Sequence, residues 1–166
     1  MDPLLLITAG LLGLCAIGLS WFAGSDAPYV PTKLESLKQV FKKAGLKKNC
    51  QFYELGSWDG RVVLLAAQMG AVSFGIEQSW IRIWLSRYYA RQKKLPKAHF
   101  FHGNIFDRQY YPADMVYIYM LQKAVDRLEK KLQQELKSGS KIVTQRYHFK
   151  NWPTKQKLGE FWVYQK

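Results

Sequence analysis

Cysteine is scarce in this 166-residue chain: Cys15 and Cys50 are the only two. One lies in an apolar stretch and the other just ahead of a strand-like run, so no disulfide framework is available and a reducing compartment fits. Acidic residues are few as well, 12 against 25 lysines and arginines, for a net charge of +13. That balance leaves nucleic acid, anionic lipid and an acidic protein surface open as partners, beside a merely solvated basic face. Histidine is also rare, and His99 and His102, three apart in a strand-like run, point to opposite faces and make poor joint ligands. No metal site is expected. Repeats and low-complexity segments are absent, and the length suits one domain with an appendage.

Charge is missing altogether over residues 4–23. Such a run is long enough to cross a hydrocarbon core, and without a basic stretch before it the segment reads as a transmembrane helix rather than a signal peptide. Lys33, Lys38, Lys42, Lys43, Lys47 and Lys48 follow closely, which by the positive-inside rule puts the rest of the chain in the cytoplasm. Residues 1–24 are thus expected to be a single-pass anchor in the lipid bilayer. Gly10, Gly13 and Gly18 miss the Gly-x-x-x-Gly spacing, so no dimer is predicted and the oligomeric state stays open. Residues 25–32 form a linker, since a glycine and two prolines punctuate residues 24–31. Thr32 with Glu35 matches a capping box, and Leu34, Leu37, Val40 and Phe41 make the apolar stripe of the helix it opens.

The stretch that carries chemistry is Glu54-Leu55-Gly56-Ser57-Trp58-Asp59-Gly60-Arg61. It lies between the run Gln51-Phe52-Tyr53 and the run from Val62 to Ala67, a strand, a glycine-bearing turn and a helix start, where an α/β fold holds a nucleotide-like cofactor. Gly56 and Gly60 permit a tight turn and close backbone approach, and the amides opening the helix are expected to offer donors to a carboxylate or phosphate. Glu54 would repel a pyrophosphate and attract a sulfonium or ammonium group, which favours S-adenosylmethionine over a dinucleotide. A second apolar run, Val72-Ser73-Phe74-Gly75-Ile76, ends in Glu77, placed to accept both ribose hydroxyls.

With Asn104 after the third strand, this pattern resembles the class I, seven-strand S-adenosylmethionine-dependent methyltransferases. Within them the chain is most similar to a small family that includes the lysine N-methyltransferases of the mitochondrial ATP synthase c subunit and of the adenine nucleotide translocase, with prokaryotic relatives. The segments that carry the likeness are Pro28-Tyr29-Val30-Pro31-Thr32, the loop from Gly56 to Arg61, and Arg146-Tyr147-His148-Phe149-Lys150-Asn151-Trp152. The resemblance spans residues 28–166. It implies an α/β fold, a Rossmann-like class I methyltransferase sheet with helices on both faces, here preceded by one transmembrane helix, with the domain over residues 33–166. It further implies that Tyr29 and Thr32 close over the cofactor, that Ser57 and Asp59 belong to its loop, and that Asn104 and Ile105 meet the adenine, with Asp107 turning the chain after it. Trp58 departs from the pattern, since the middle of such loops is usually glycine; its ring either forms a wall of the pocket or weakens binding.

About six strands are expected, with a short or incomplete hairpin at the end. Helix 79–93 interleaves Trp80, Ile83, Trp84 and Tyr88 with Arg82, Arg87 and Arg91. The spacing places the Trp and Ile side chains on a core face with the arginines snorkelling, though the same interleaving is open to a nucleic-acid reading. The fourth strand lacks the Asn/Asp-Pro-Pro-aromatic motif of nucleobase amino-methyltransferases, and no nucleic-acid partner is expected. Tyr117 and Tyr119 there resemble the edges of a lysine channel, with core packing as the alternative. Protein lysine on a membrane protein is therefore the expected acceptor. A small-molecule or lipid methyltransferase, and a non-catalytic scaffold with a degenerate loop, remain alternatives.

Overall fold

The computed structural model describes residues 2–22 and 33–166, the side chains of 17–22 excepted. Helix α1, Pro3–Phe22, opens at Asp2, whose carboxylate accepts from Leu4 N at 2.9 Å. Among the described residues no helix is long and apolar enough to cross a membrane. The anchor expected over residues 4–23 lies partly, and the linker with Tyr29 and Thr32 lies wholly, outside the described residues.

Helix α2, Leu34–Ala44, begins later than the sequence suggests. Lys33 is its cap, with no side-chain bond, and its carbonyl takes the first helical hydrogen bond from Leu37 N at 3.1 Å. The Thr32 half of the expected capping box lies outside the described residues; Glu35 sits in the first turn, where it favours the helix dipole.

The remaining elements alternate as an α/β fold requires: β1 Gln51–Leu55, α3 Arg61–Gln68, β2 Val72–Glu77, α4 Trp80–Gln92, β3 Ala98–His102, β4 Met115–Ile118, α5 Gln122–Glu135, β5 Lys141–Gln145, β6 Gln156–Leu158 and β7 Phe161–Gln165. They build one seven-stranded sheet in the order β3-β2-β1-β4-β5-β7-β6. Strands β1 to β5 run parallel, and β7 is antiparallel to both β5 and β6. The count is seven, not six. Three residues, Gln-Lys-Leu, make up β6, too short and polar to announce a strand.

Both faces are covered, as a mostly parallel sheet needs. Leu37 and Phe41 of α2 and Val62 and Ala66 of α3 pack with Phe52, Met115 and Tyr117 on one face. On the other, Val125, Leu128 and Leu132 of α5 meet Leu55, Val116, Ile118 and Ile142. Alternate residues of each strand supply the two cores.

Helix α4 buries Ile83 as expected but exposes the tryptophans expected beside it and buries Arg82, an arginine expected to snorkel. It buries Arg82, Ile83, Ser86 and Ala90, while Trp80, Trp84 and Tyr88 are exposed. Ser86 and Ala90 are small, so the helix comes close to α3 and β3, where Ile83 and Ala90 meet Val63, Leu64 and Phe100. The aromatic spacing is helical, but it marks the outer face.

Candidate active site

The strand order reverses between β1 and β4, and in open α/β sheets the crevice beyond the carboxyl ends of such strands receives ligands. Four chain segments reach it: the loop 56–60 after β1, Glu77 ending β2, the loop from Gly103 after β3, and Tyr119 with Met120 after β4.

The loop is fixed to the neighbouring strand through its backbone. Gly56 N and Ser57 N both donate to Ile76 O, at 3.0 and 2.9 Å, and Gly60 N returns to Ser57 O at 2.7 Å. Gly56 has φ +78°, and a side-chain carbon there would have only the end of Met120 near it, at 3.6 Å, so the backbone stays open to close approach. Trp58 shares this left-handed conformation, φ 47°. That explains why glycine suits the position. Its indole turns to α4, where Cζ of Arg82 lies 3.3 Å from the ring centre.

Glu77 is buried and ties these pieces together. Its Oε2 accepts from Trp58 N at 3.0 Å, and its Oε1 accepts from Ser79 N at 3.0 Å and from Nη1 of buried Arg82 at 3.4 Å. The carboxylate thus stands where a ribose acceptor is expected, at the tip of β2, but it also braces the loop.

Two more acids complete the group. Glu54 is buried with Oε2 accepting from Val63 N at 3.2 Å. Burial pushes its carboxyl well above the ordinary range; nearby Asp59 and Glu77 add to the shift, while the Val63 N–H and Arg61 oppose it. Asp59 accepts from Arg61 N at 3.2 Å and from Arg61 Nε at 2.8 Å. The amides opening α3, expected to be donors for an anion, are therefore partly taken by the chain's own carboxylates. Of these acids, Asp59 is paired with Arg61 and Glu77 with Arg82. At the base of the turn Ser57 Oγ is buried with no hydrogen-bond partner among the described residues.

Asn104 accepts from Phe106 N at 3.0 Å through Oδ1 and from Asp107 N at 3.2 Å through its carbonyl, so Asn104 and Asp107 share the turn after β3. Ile105 puts its side chain in the main core and its carbonyl under the hydroxyl of Tyr110, at 2.7 Å. Tyr117 is fully buried, packs edge-on against Phe41 and donates its hydroxyl to Gln145. This is the core-packing arrangement rather than an open channel edge. Tyr119, half-buried, follows the carboxyl end of β4 and packs against the core beneath α2 and α3. His99 stacks on Phe74 and His102 on Trp80, on opposite faces as expected, and among the described residues no cluster of metal-ligating side chains exists.

Sequence reasoning missed Arg82, Gly75 and Met120. A side-chain carbon at Gly75 would stand 2.7 Å from Ser57 Oγ and 2.9 Å from Val63 Cγ2. A glycine inside a strand is the available signal of such close approach.

The family model described as "ANTKMT methyltransferase domain" matches residues 54–156. Over 142 residues the chain is 28% identical to the lysine N-methyltransferase of the ATP synthase c subunit from Homo sapiens, covering 82% of this chain and 60% of that protein. It is also 28% identical over 133 residues to a protein-lysine N-methyltransferase of Saccharolobus islandicus, covering 78% of this chain and 82% of that one. The chain thus spans about 60% of the length of the human relative. Among solved structures it is similar to an RNA methyltransferase from Salinibacter ruber in complex with S-adenosyl-L-homocysteine, with TM-score 0.74 and 26% identity over 81% of this chain and 91% of that chain.

Proposed function

We propose that this chain, which belongs to the ANTKMT methyltransferase domain family, transfers the methyl group of S-adenosylmethionine to the side-chain amine of a protein lysine. The observation that carries the reading is the convergence of Glu54, Asp59 and Glu77 on a glycine loop at the reversal of the strand order. That set of carboxylate acceptors fits a cofactor with an ammonium, a sulfonium and ribose hydroxyls. Glu77 would hold the ribose, the Glu54 side of the loop would face the cationic end, and Asn104 with Ile105 would meet the adenine. Gly56, Ser57 and Gly60 would let the cofactor approach, Trp58 would wall the pocket, and Tyr29 and Thr32 are proposed to close it.

When bound, the cofactor supplies an electrophilic methyl group. The chain's own residues then have to align an uncharged amine with it, and alignment by itself contributes several kcal/mol to such a step. The end of β4, with Tyr119 after it, is the proposed path for the lysine. A dry aromatic path lowers the amine's pKa, so no dedicated base is required. The relatives named as lysine N-methyltransferases support the acceptor.

The proposed setting is a membrane, with residues 4–23 as a single-pass anchor, the domain on the cytoplasmic side and a membrane protein as substrate. Support comes from the run without charge and the lysines that follow it. The eight residues 24–31 reach at most roughly 29 Å, which confines the domain to the bilayer surface and concentrates it near substrates there.

RNA methylation is a second reading, favoured by the likeness to the Salinibacter ruber enzyme. Incubating membrane and soluble extracts with methyl-labelled cofactor and the full chain separates the readings. Label in protein lysine supports the first, and label confined to RNA or lipid overturns it.

A further inference from the structure

Helix α4 carries an outer face that the catalytic reading does not use. Trp80 is 63% exposed, Trp84 70% and Tyr88 47%, and with Arg87 and Arg91 they fall within one arc of about 100° of the helix. The opposite arc holds the buried Arg82, Ile83, Ser86 and Ala90. From residue 78 to residue 106 the chain has six lysines and arginines and no acidic residue. Arg91, Lys93 and Lys94, at the carboxyl end of the helix, are exposed. A large aromatic face within an acid-free basic stretch is a costly thing to leave in water.

The geometry points to an anionic membrane surface as its occupant: α4 lies against lipid headgroups, with Trp80, Trp84 and Tyr88 dipping into the interface and Arg91, Lys93 and Lys94 beside the lipid phosphates. Charge complementarity supports this, because the stretch has no anion and five of its six cations, all but the buried Arg82, remain to match an anionic sheet of lipid. Tryptophan and tyrosine suit the water–lipid boundary, having an apolar body and one polar tip. Trp80 already has one face on His102 at 4.0 Å and 6°, and Trp84 lies near-parallel to Tyr88 at 6.2 Å and 14°, so stacked bases would have to add to rings that are already paired. Edge-on insertion into headgroups leaves those pairs intact. With Trp80 directly after the Glu77–Ser79 turn, this docking also holds the carboxyl-end crevice of the sheet close to the bilayer.

The inference rests on the membrane setting proposed above and not on methyl transfer, and its test uses no cofactor, so the two readings fail separately. The full chain is bound to vesicles of phosphatidylcholine alone and of phosphatidylcholine with phosphatidylserine, then footprinted with hydroxyl radicals and read by peptide mass spectrometry. An inserted α1 would bind both vesicle types. Only α4 docking predicts that oxidation of Trp80, Trp84 and Tyr88 falls on the anionic vesicles while Tyr111, 67% exposed on the loop before β4, stays as reactive as in solution. The variant carrying Arg91→Gln, Lys93→Gln and Lys94→Gln, all at exposed positions, should need about tenfold or more anionic lipid for the same protection. Equal oxidation on both vesicle types overturns the proposal. So does protection by RNA without vesicles, or protection that grows with protein concentration alone.

Discussion

The guanidinium carbon of Arg82 sits 3.3 Å from the centre of the Trp58 ring, while the same guanidinium reaches Glu77 Oε1 at 3.4 Å. A residue whose φ of 47° favours glycine is thereby held by a partner that also pairs with the acid at the tip of β2. The left-handed backbone costs about 1–2 kcal/mol for a residue with a side chain, and a desolvated cation–π contact returns about 2 kcal/mol. The two effects are of the same size, which explains how an indole persists in a glycine position.

Trp58→Gly should for that reason leave stability nearly unchanged and shift cofactor affinity by no more than about tenfold, or 1.4 kcal/mol. Calorimetry with S-adenosylmethionine checks this. A wild type that binds nothing beside a glycine variant that binds would show the ring to fill the pocket, in favour of a scaffold.

Glu77→Ala removes the acceptor of Trp58 N and Ser79 N as well as the proposed ribose contact. Cofactor affinity should fall by roughly 1.5–3 kcal/mol, the worth of hydrogen bonds to a charged group. Glu77→Gln, which keeps one acceptor oxygen, should lose less. Unchanged calorimetric affinity in a folded alanine variant would remove Glu77 from the site.

The buried acid Glu54 makes a pH prediction. Burial, reinforced by Asp59 and Glu77, raises its carboxyl above the ordinary 4.5, so the folded chain holds this proton more tightly than the unfolded one. The stability it contributes is complete below about pH 4.5 and is lost as pH rises through the folded value. Glu54→Gln should flatten that fall and raise the melting temperature near neutrality. Thermal melts across the acid-to-neutral range report it; a variant that loses stability with pH as steeply as the wild type contradicts the assignment.

Gly75→Ala tests how closely the loop is seated on β2. The added methyl would meet Ser57 Cβ at 2.8 Å and Val63 Cγ2 at 2.9 Å, and neither has room to withdraw from a buried position. Overpacking of this kind costs about 1–3 kcal/mol, readable by denaturant unfolding, and displacing the loop should weaken cofactor binding as well. Wild-type stability and affinity together would mean that the loop moves freely.

The cofactor half of the fold was legible because its signals are local. Apolar runs leading to Glu54 and Glu77, with glycines at 56 and 60, mark strand ends directly, and in the structure both acids lie in the carboxyl-terminal part of their strands, β1 and β2. What needed the structure was the facing of elements. In α4 two arcs each have helical spacing, and the small residues Ser86 and Ala90, not the rings, face the sheet. Tyr117 lies on a strand buried throughout, where alternation gives no sign of which face the tyrosine takes. Arg82 is five residues from Glu77 in sequence, and only the turn at Ser79 folds it back onto that carboxylate.

The most direct test is peptide mass spectrometry of the membrane and soluble fractions of cells carrying the full chain, its Glu77→Ala variant, or neither. The account predicts lysine residues that gain one or more methyl groups with the full chain, concentrated in the membrane fraction, and lose most of that gain with the variant. Identical lysine methylation in all three cell lines would contradict it.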